Sequence, residues 1–119
     1  MRFVLMIVML AFAGSVQLHA QAPGAPAGNV ENGKKLFVNR ACFQCHGYVG
    51  QGGQAGARLT QRNFSWNYFV SYIRKPSGQM VPYTAKVLPE QEVADIYAWI
   101  KSLPPPPAVN TIPALKDLK

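Results

Sequence analysis

The chain has 119 residues and a formal net charge of +7, from 12 Lys and Arg against five Asp and Glu. This length favours one small domain with a modest core. The basic residues form no run and no nucleic-acid recognition module, which argues against a nucleic-acid partner, and no paired catalytic carboxylates, nucleophile or phosphate-binding loop indicates an enzyme.

Residues 1–20 have the pattern of a secretory signal peptide. Arg2 supplies the positive region, residues 3–13 are an apolar run of eleven, and cleavage is expected after Ala20. That run is shorter than the 18 or more residues of a membrane-spanning helix, so an uncleaved anchor is the weaker alternative. The mature protein would begin at Gln21 with 99 residues and a charge of +6, because Arg2 is the only charged residue removed.

The first ordered element is predicted to begin near Asn29, after a short leader. Residues 21–28 are small and rich in Pro and Gly, which is typical of a flexible leader. Asn29 is suited to cap a helix, and apolar or small residues then follow at helical spacing, namely Val30, Gly33, Leu36 and Phe37. These features predict a first helix over about residues 30–43.

The end of this helix leads into the run Cys42-Phe43-Gln44-Cys45-His46, which contains the only two cysteines of the chain. A C-x-x-C-H run is typical of covalent haem attachment. On a helix, residues at i and i+3 have Cβ atoms about 5–6 Å apart, so both thiols can reach the two vinyl groups of one porphyrin. His46 can then give the iron its proximal nitrogen. The sequence therefore predicts one covalently attached haem c with its iron.

Other interpretations of the two cysteines are weaker. A thioredoxin-like redox pair belongs to a βαβ pattern, which this sequence does not show. A structural zinc site needs four ligands, whereas the predicted mature chain offers two cysteines and one histidine. A disulfide between residues i and i+3 would constrain almost no loop.

Two further helices are predicted beyond a glycine-rich loop. Residues 47–56 contain five glycines and favour a loop that can pass close to the haem. A helix over about residues 65–75 is indicated by helical apolar spacing, with Ser65 as cap and Pro76 as terminator. The last helix, over about residues 89–103, has acidic residues in its first turn and four prolines after its end.

Three helices joined by Gly- and Pro-rich loops, with no alternating strand pattern, predict an all-α domain over residues 29–103. The proline-rich tail, residues 104–119, is expected to be a polyproline II spacer followed by a short docking or disordered segment. A tail that binds a partner protein is the less favoured alternative.

Met80 is the expected sixth ligand of the iron. After residue 20 the chain has one methionine and one histidine, so a bis-histidine haem cannot form within it. Met80 lies 34 residues after His46, in a loop that Pro76, Gly78 and Pro82 flank. A lone methionine is more often core filler, but this loop position favours a presented ligand.

Taken together, these features resemble a class I c-type cytochrome over nearly all of the chain after residue 20. The matching features are Gly33 and Phe37, the Cys42-x-x-Cys45-His46 run, the Met80 loop with Pro82, and the closing helix over residues 94–100. The resemblance implies an all-α cytochrome c fold, with three main helices around one haem. The first and last helices would cross at close range, with Gly33 and Phe37 packed against Ile96 and Trp99.

The chain departs from the family pattern in two places. Where the family often has Gly-Pro-x-Leu, with a backbone carbonyl that accepts from the ligating histidine, this chain has Gly56-Ala57-Arg58-Leu59. Any residue supplies a carbonyl, so that hydrogen bond remains available. Val81 also separates Met80 from Pro82, whereas the family commonly has proline directly after the ligand. Candidate partners of the haem propionates are Arg58, Tyr48, Tyr68 and Tyr83.

The resemblance implies a one-electron carrier and no enzymatic activity, because an iron ligated by His46 and Met80 has no open site. Its partners would be electron donor and acceptor proteins with acidic docking faces, with peripheral membrane contact as an additional possibility. Export and haem attachment together indicate the periplasm. The alternatives are a dedicated cytochrome subunit of a periplasmic dehydrogenase complex, and a haem sensor or enzyme with an open sixth site.

Overall fold

The computed structural model describes residues 24–115, which form four α-helices and two 3-10 turns. The helices are α1 (Val30–Asn39), α2 (Cys42–His46), α3 (Trp66–Arg74) and α4 (Glu90–Ser102), and the 3-10 turns are Val109–Thr111 and Pro113–Leu115. Residues 24–115 contain no strand, which confirms the predicted all-α class. The predicted signal peptide at 1–20 lies outside the described residues. No helix of the described part is long and apolar enough to cross a membrane.

The two later helices begin and end close to their predicted bounds because local signals define them. The Ser65 hydroxyl accepts from the backbone N–H of Tyr68 at 3.3 Å, which caps α3, and Pro76 follows its end. Pro89 precedes the first residue of α4, and Leu103 follows its last. These residues lie within a few positions of each helix end, so the helix bounds can be predicted from the local sequence.

The prediction of one first helix over residues 30–43 is wrong, because the chain breaks before the cysteine motif. Helix α1 ends at Asn39, and Ala41 adopts a left-handed conformation with φ 60°. A left-handed non-glycine residue cannot continue a right-handed helix. The motif Cys42–His46 therefore forms a separate short helix, α2.

Helices α1 and α4 cross at close range, as the family resemblance implied. A Cβ atom built on Gly33 would collide with the backbone carbonyl of Asp95 and lie 2.9 Å from the Cβ of Trp99. One turn later, the rings of Phe37 and Trp99 meet with centroids 4.6 Å apart. Both rings are almost fully buried. This crossing forms one end of the core.

The last residues of the predicted flexible leader pack on α4, which sequence reasoning did not foresee. A Cβ atom on Gly28 would lie 2.6 Å from the Cβ of Ala98, so the backbone lies directly on the helix. The buried carboxylate of Asp95 accepts from the backbone N–H of Asn29 at 2.8 Å and from Asn32 Nδ2 at 2.7 Å. Asp95 thus fixes the start of α1, where negative charge complements the helix dipole.

An aromatic cluster joins α3 to α4. The ring of Tyr97 lies 5.2 Å from that of Phe69 and 5.5 Å from that of Trp66, measured between centroids. The Tyr97 hydroxyl donates to the backbone carbonyl of Phe64 at 3.1 Å. The core between α1, α3 and α4 therefore closes at this side, and on its other side it opens into a cavity.

Candidate functional site

A cavity of about 760 Å³ lies between the core and the loops. Its inner wall is made of buried apolar side chains, namely Phe37, Phe69, Ile73, Leu88, Ile96 and Ile100. All four residues that the sequence singled out, Cys42, Cys45, His46 and Met80, also line it. Cofactor pockets typically measure about 300–1,000 Å³ and have mostly apolar walls. The structure thus brings the four residues together at a space of suitable size.

The two cysteines lie three residues apart on α2 and form no disulfide with each other. Cys42 is partly buried and Cys45 is exposed at the edge of the cavity. Burial raises the pKa of the Cys42 thiol from 9.0 to about 11. This direction is opposite to the lowered pKa of the attacking cysteine in thiol–disulfide catalysts. The described part of the chain also contains no cluster of three or more His, Cys, Asp or Glu side chains that could hold a metal ion.

The ring of His46 is oriented by a backbone carbonyl. Its Nδ1 lies 2.7 Å from the carbonyl oxygen of Ala57, the residue that stands where the family often has proline. Because a carbonyl only accepts, Nδ1 carries the proton, and the lone pair of Nε2 remains available for a metal. Ala57 therefore supplies the hydrogen bond that a ligating histidine requires, without a proline.

The glycine-rich loop permits this contact. A Cβ atom on Gly56 would lie 2.6 Å from the carbonyl oxygen of Cys45 and 2.9 Å from Nδ1 of His46, so a side chain there would push the loop away. The loop is also tied to itself, since the carbonyl of Gly50 accepts from the N–H groups of Leu59 and Thr60 at 2.8 and 3.1 Å. As predicted, residues 47–56 contain neither helix nor strand, and they fold against the cysteine motif.

Met80 lies on the loop between α3 and α4, half-buried and packed against the core. Val81, the residue that separates it from Pro82, lines the same cavity and is exposed. The start of this loop is held by a hydrogen bond of 2.9 Å between the Tyr72 hydroxyl and Ser77 Oγ. The extra residue after Met80 therefore does not remove it from the cavity wall.

The cavity has a cationic wall, part of which the sequence analysis missed. Among the described residues, Arg58, Arg62 and His46 are the ionisable nitrogen-bearing side chains that line it, and no carboxylate of residues 24–115 does so. Arg58 is one of the predicted propionate partners, whereas Arg62 is not among them. The sequence feature that could have indicated Arg62 is its position, because it is a second arginine, four residues after Arg58, in the segment that follows His46.

The three tyrosines proposed as propionate partners have different positions. Tyr68 lines the cavity and is exposed. Tyr83 also lines it, but its hydroxyl donates to the backbone carbonyl of Arg40 at 2.7 Å. Tyr48 is absent from the lining and instead stacks on Phe43 with ring centroids 4.7 Å apart. Tyr48 therefore does not line the cavity, and the Tyr83 hydroxyl already has a backbone acceptor.

The donor set fits a covalently attached haem. Two thiols on one helix match two vinyl groups, an oriented imidazole and a thioether match the two axial positions of iron, and the apolar wall matches a porphyrin. The arginines match the negative charge of two propionates. The His46 imidazole and the Met80 thioether are the lining side chains that could serve as ligands of a haem iron.

Comparison with known proteins supports the same interpretation of the site. Residues 28–100 match the family described as cytochrome c oxidase, cbb3-type, subunit III. Cytochrome c-555 of Methylococcus capsulatus is 31% identical over 72 residues, which is 59% of this chain and 58% of that protein. The chain thus matches less than two thirds of the length of this curated relative. No solved structure gives a significant match.

Proposed function

The chain belongs to the family of small class I c-type cytochromes, and from this we propose that it is a periplasmic one-electron carrier. Its cofactor, as in the family, is a covalently bound haem c with iron, and its general role is electron transfer. In our proposal Cys42 and Cys45 attach the haem, and His46 and Met80 ligate the iron. When bound, haem c supplies one-electron exchange between ferrous and ferric iron.

The observation that supports this proposal most is the convergence of all four side chains on one apolar cavity. Cys42, Cys45 and His46 come from one short helix, but Met80 lies 34 residues further along the chain. All four side chains nevertheless line the same cavity. A thioether favours ferrous iron, so Met80 would raise the reduction potential relative to an oxygen ligand.

The surrounding residues perform three tasks in this proposal. Ala57 holds the imidazole of His46 in one orientation through its carbonyl. The buried apolar wall keeps water away from the site, which raises the energetic weight of nearby charges. Arg58 and Arg62 supply positive charge at the loop side of the cavity, where they suit the two propionates.

Carbon monoxide binding to the reduced protein tests whether the sixth position is filled. We expect slow and weak binding, because carbon monoxide must displace Met80 before it reaches the iron. Haem proteins with an open site bind carbon monoxide rapidly and tightly. Rapid, tight binding by this protein would therefore contradict the electron-carrier assignment and favour the alternative of a haem sensor or enzyme.

Intact-mass measurement on protein from the periplasm tests export and attachment. The expected mass is that of a chain that begins at Gln21 with one haem joined to Cys42 and Cys45. Extraction with acidified acetone removes non-covalent haem and serves as the control for attachment. Loss of the haem on extraction, or a mass that still includes residues 1–20, would contradict the proposal.

A further inference from the structure

Tyr83 is the point at which the Met80 loop is bonded to the rest of the protein. Its backbone N–H donates to the carbonyl of Ile73 at 3.0 Å, and its own carbonyl accepts from Arg74 Nη1 at 2.8 Å. Both bonds tie the loop to the end of α3. Its hydroxyl donates to the carbonyl of Arg40 at 2.7 Å, across 43 positions of sequence.

The bond to Arg40 connects the two halves of the cavity. Arg40 lies at the break between α1 and α2, two residues before Cys42, and its guanidinium pairs with Glu92 of α4 at 2.7 Å. Within residues 24–115, the Tyr83 hydroxyl is the one group of the segment 76–88 that hydrogen-bonds to the segment 24–65: it donates to the Arg40 carbonyl and also lies beside the Cys42 thiol. The segment with Met80 and the segment with the haem-attachment run are thus linked through this hydroxyl.

The location of this bond protects it. Tyr83 is half-buried against the core, and burial raises the pKa of its hydroxyl, so the group stays a neutral donor. Arg40 precedes Ala41, whose left-handed conformation, with φ 60°, is unfavourable for a residue that carries a Cβ atom. A hydrogen bond to the Arg40 carbonyl helps to hold the chain in this turn. The hydroxyl therefore fixes two things together, the position of the loop and the direction in which α2 begins.

We propose that Tyr83 is a positioning residue that clamps the Met80 loop to the haem-attachment segment and so determines how readily an added ligand displaces Met80. This inference rests on the proposed role of Met80 as the sixth ligand. Displacement requires the loop to move away from α2, which breaks the bond from the Tyr83 hydroxyl to the Arg40 carbonyl. The net free energy of that hydrogen bond then adds to the free energy that the incoming ligand must supply to displace Met80.

The test compares Tyr83→Phe with Tyr97→Phe in the haem-loaded protein. Each variant removes one tyrosine hydroxyl that donates to a backbone carbonyl and keeps the ring. Tyr97 bonds to Phe64, does not line the cavity and has no contact of this kind with the Met80 loop. Tyr97→Phe therefore controls for a general loss of stability.

The first measurement is hydrogen–deuterium exchange of the backbone amides over residues 76–84. We expect Tyr83→Phe to speed exchange in this segment by about 3- to 10-fold, the factor that corresponds to one net hydrogen bond. Tyr97→Phe should leave the segment unchanged. Unchanged exchange in Tyr83→Phe, or an equal increase in both variants, would overturn the proposal without reference to the ligand of the iron.

The second measurement is the affinity of imidazole for the ferric protein. Tyr83→Phe should bind imidazole about 3- to 10-fold more tightly than the wild type, for the same reason, and Tyr97→Phe should not. Faster exchange with unchanged imidazole affinity would overturn the link to Met80. Met80→Ala separates the two possible failures: if it too leaves imidazole affinity unchanged, the proposed ligation is wrong, and if it raises the affinity, only the role of Tyr83 is wrong.

Discussion

Arg62 and Arg58 are the two permanently charged side chains among the described residues that line the cavity. Positive charge near a haem stabilises the ferrous form relative to the ferric form, since oxidation adds one positive charge to the site. Both arginines are exposed, so water and salt reduce their effect.

Replacing Arg62 is expected to lower the reduction potential. Arg62→Gln should lower it by roughly 10–40 mV, the equivalent for one electron of about 0.3–1 kcal/mol for a solvent-exposed charge interaction. Lys34→Gln is the matched control, because it removes the same charge from α1 at a residue outside the cavity lining. Potentiometry on both variants measures the two changes in reduction potential. Equal shifts would mean that Arg62 acts only through net charge.

Single residues also show what the sequence could not reveal about the site. The orienting carbonyl of Ala57 was expected from the resemblance to Gly-Pro-x-Leu, and the structure has that bond at 2.7 Å. The role of Tyr83 was not expected, because its partner is a backbone carbonyl 43 positions away. Side-chain type carries no information about such a distant acceptor. Only the folded structure shows this hydrogen bond.

At the level of elements, α3 and α4 were predictable because their ends are determined locally. Ser65 and Pro76 bound one helix, and Pro89 and the four prolines after Leu103 bound the other. The break at Ala41 was not predictable in this way, because alanine has the highest helix propensity. Two tertiary contacts of Arg40 accompany the break: its carbonyl accepts from the Tyr83 hydroxyl, and its guanidinium pairs with Glu92. The local sequence does not encode either contact.

The contact of α1 with α4 has a second part that the sequence did not indicate. Asp95 sits in the middle of an apolar helix face, yet its carboxylate is buried and accepts three hydrogen bonds from the start of α1 and from Gln91. Such a group is tolerated only because its partners are in place. Both residues therefore stabilise the same crossing. Gly33 lets the two backbones approach because it has no side chain, and the Asp95 carboxylate accepts hydrogen bonds from the start of α1.

The crossing of α1 and α4 is expected to carry much of the stability. Trp99→Ala should lower the free energy of unfolding by about 3–5 kcal/mol, because it removes a buried aromatic ring and leaves a cavity. Gly33→Val should also destabilise, since its side chain would collide with the backbone of Asp95. Val109→Ala, at a residue that is 64% exposed, is the control and should have almost no effect. Chemical denaturation that gave wild-type values for Trp99→Ala and Gly33→Val would contradict this account of the crossing.

Across the whole molecule, charged side chains are placed unevenly with respect to the cavity. Four of the five acidic residues lie in α1 and α4, at Glu31, Glu90, Glu92 and Asp95. Among residues 24–115, the cavity lining has two arginines and no carboxylate, and Lys101 lies beside the same loop, with its Nζ 3.4 Å from the carbonyl of Arg62. The chain has a net charge of +7, which would attract a redox partner of opposite charge.

Electron transfer to the physiological acceptor is expected to slow as salt is added. Raising the salt concentration from 0.1 to 1 M shortens the Debye length from about 10 Å to about 3 Å, which removes electrostatic steering. The bimolecular rate constant, measured by stopped flow over this range, should fall steadily. Transfer from a small neutral reductant is the control and should change little. A rate with the acceptor that stays constant would leave the positive charge as a solubility feature only.

The most direct test of the electron-carrier assignment is the replacement of Met80, because that assignment requires a sixth ligand on the iron. In the ferric wild-type protein we expect the weak long-wavelength absorption that arises from charge transfer between sulfur and iron. Met80→Ala should abolish it and lower the reduction potential by on the order of 100 mV, within the range of about 0.8 V that axial ligands span. Val81→Ala, at the neighbouring cavity residue, should leave both properties unchanged. If Met80→Ala also left the absorption and the potential unchanged, Met80 would not be the ligand, and the account of this protein as a closed electron carrier would be contradicted.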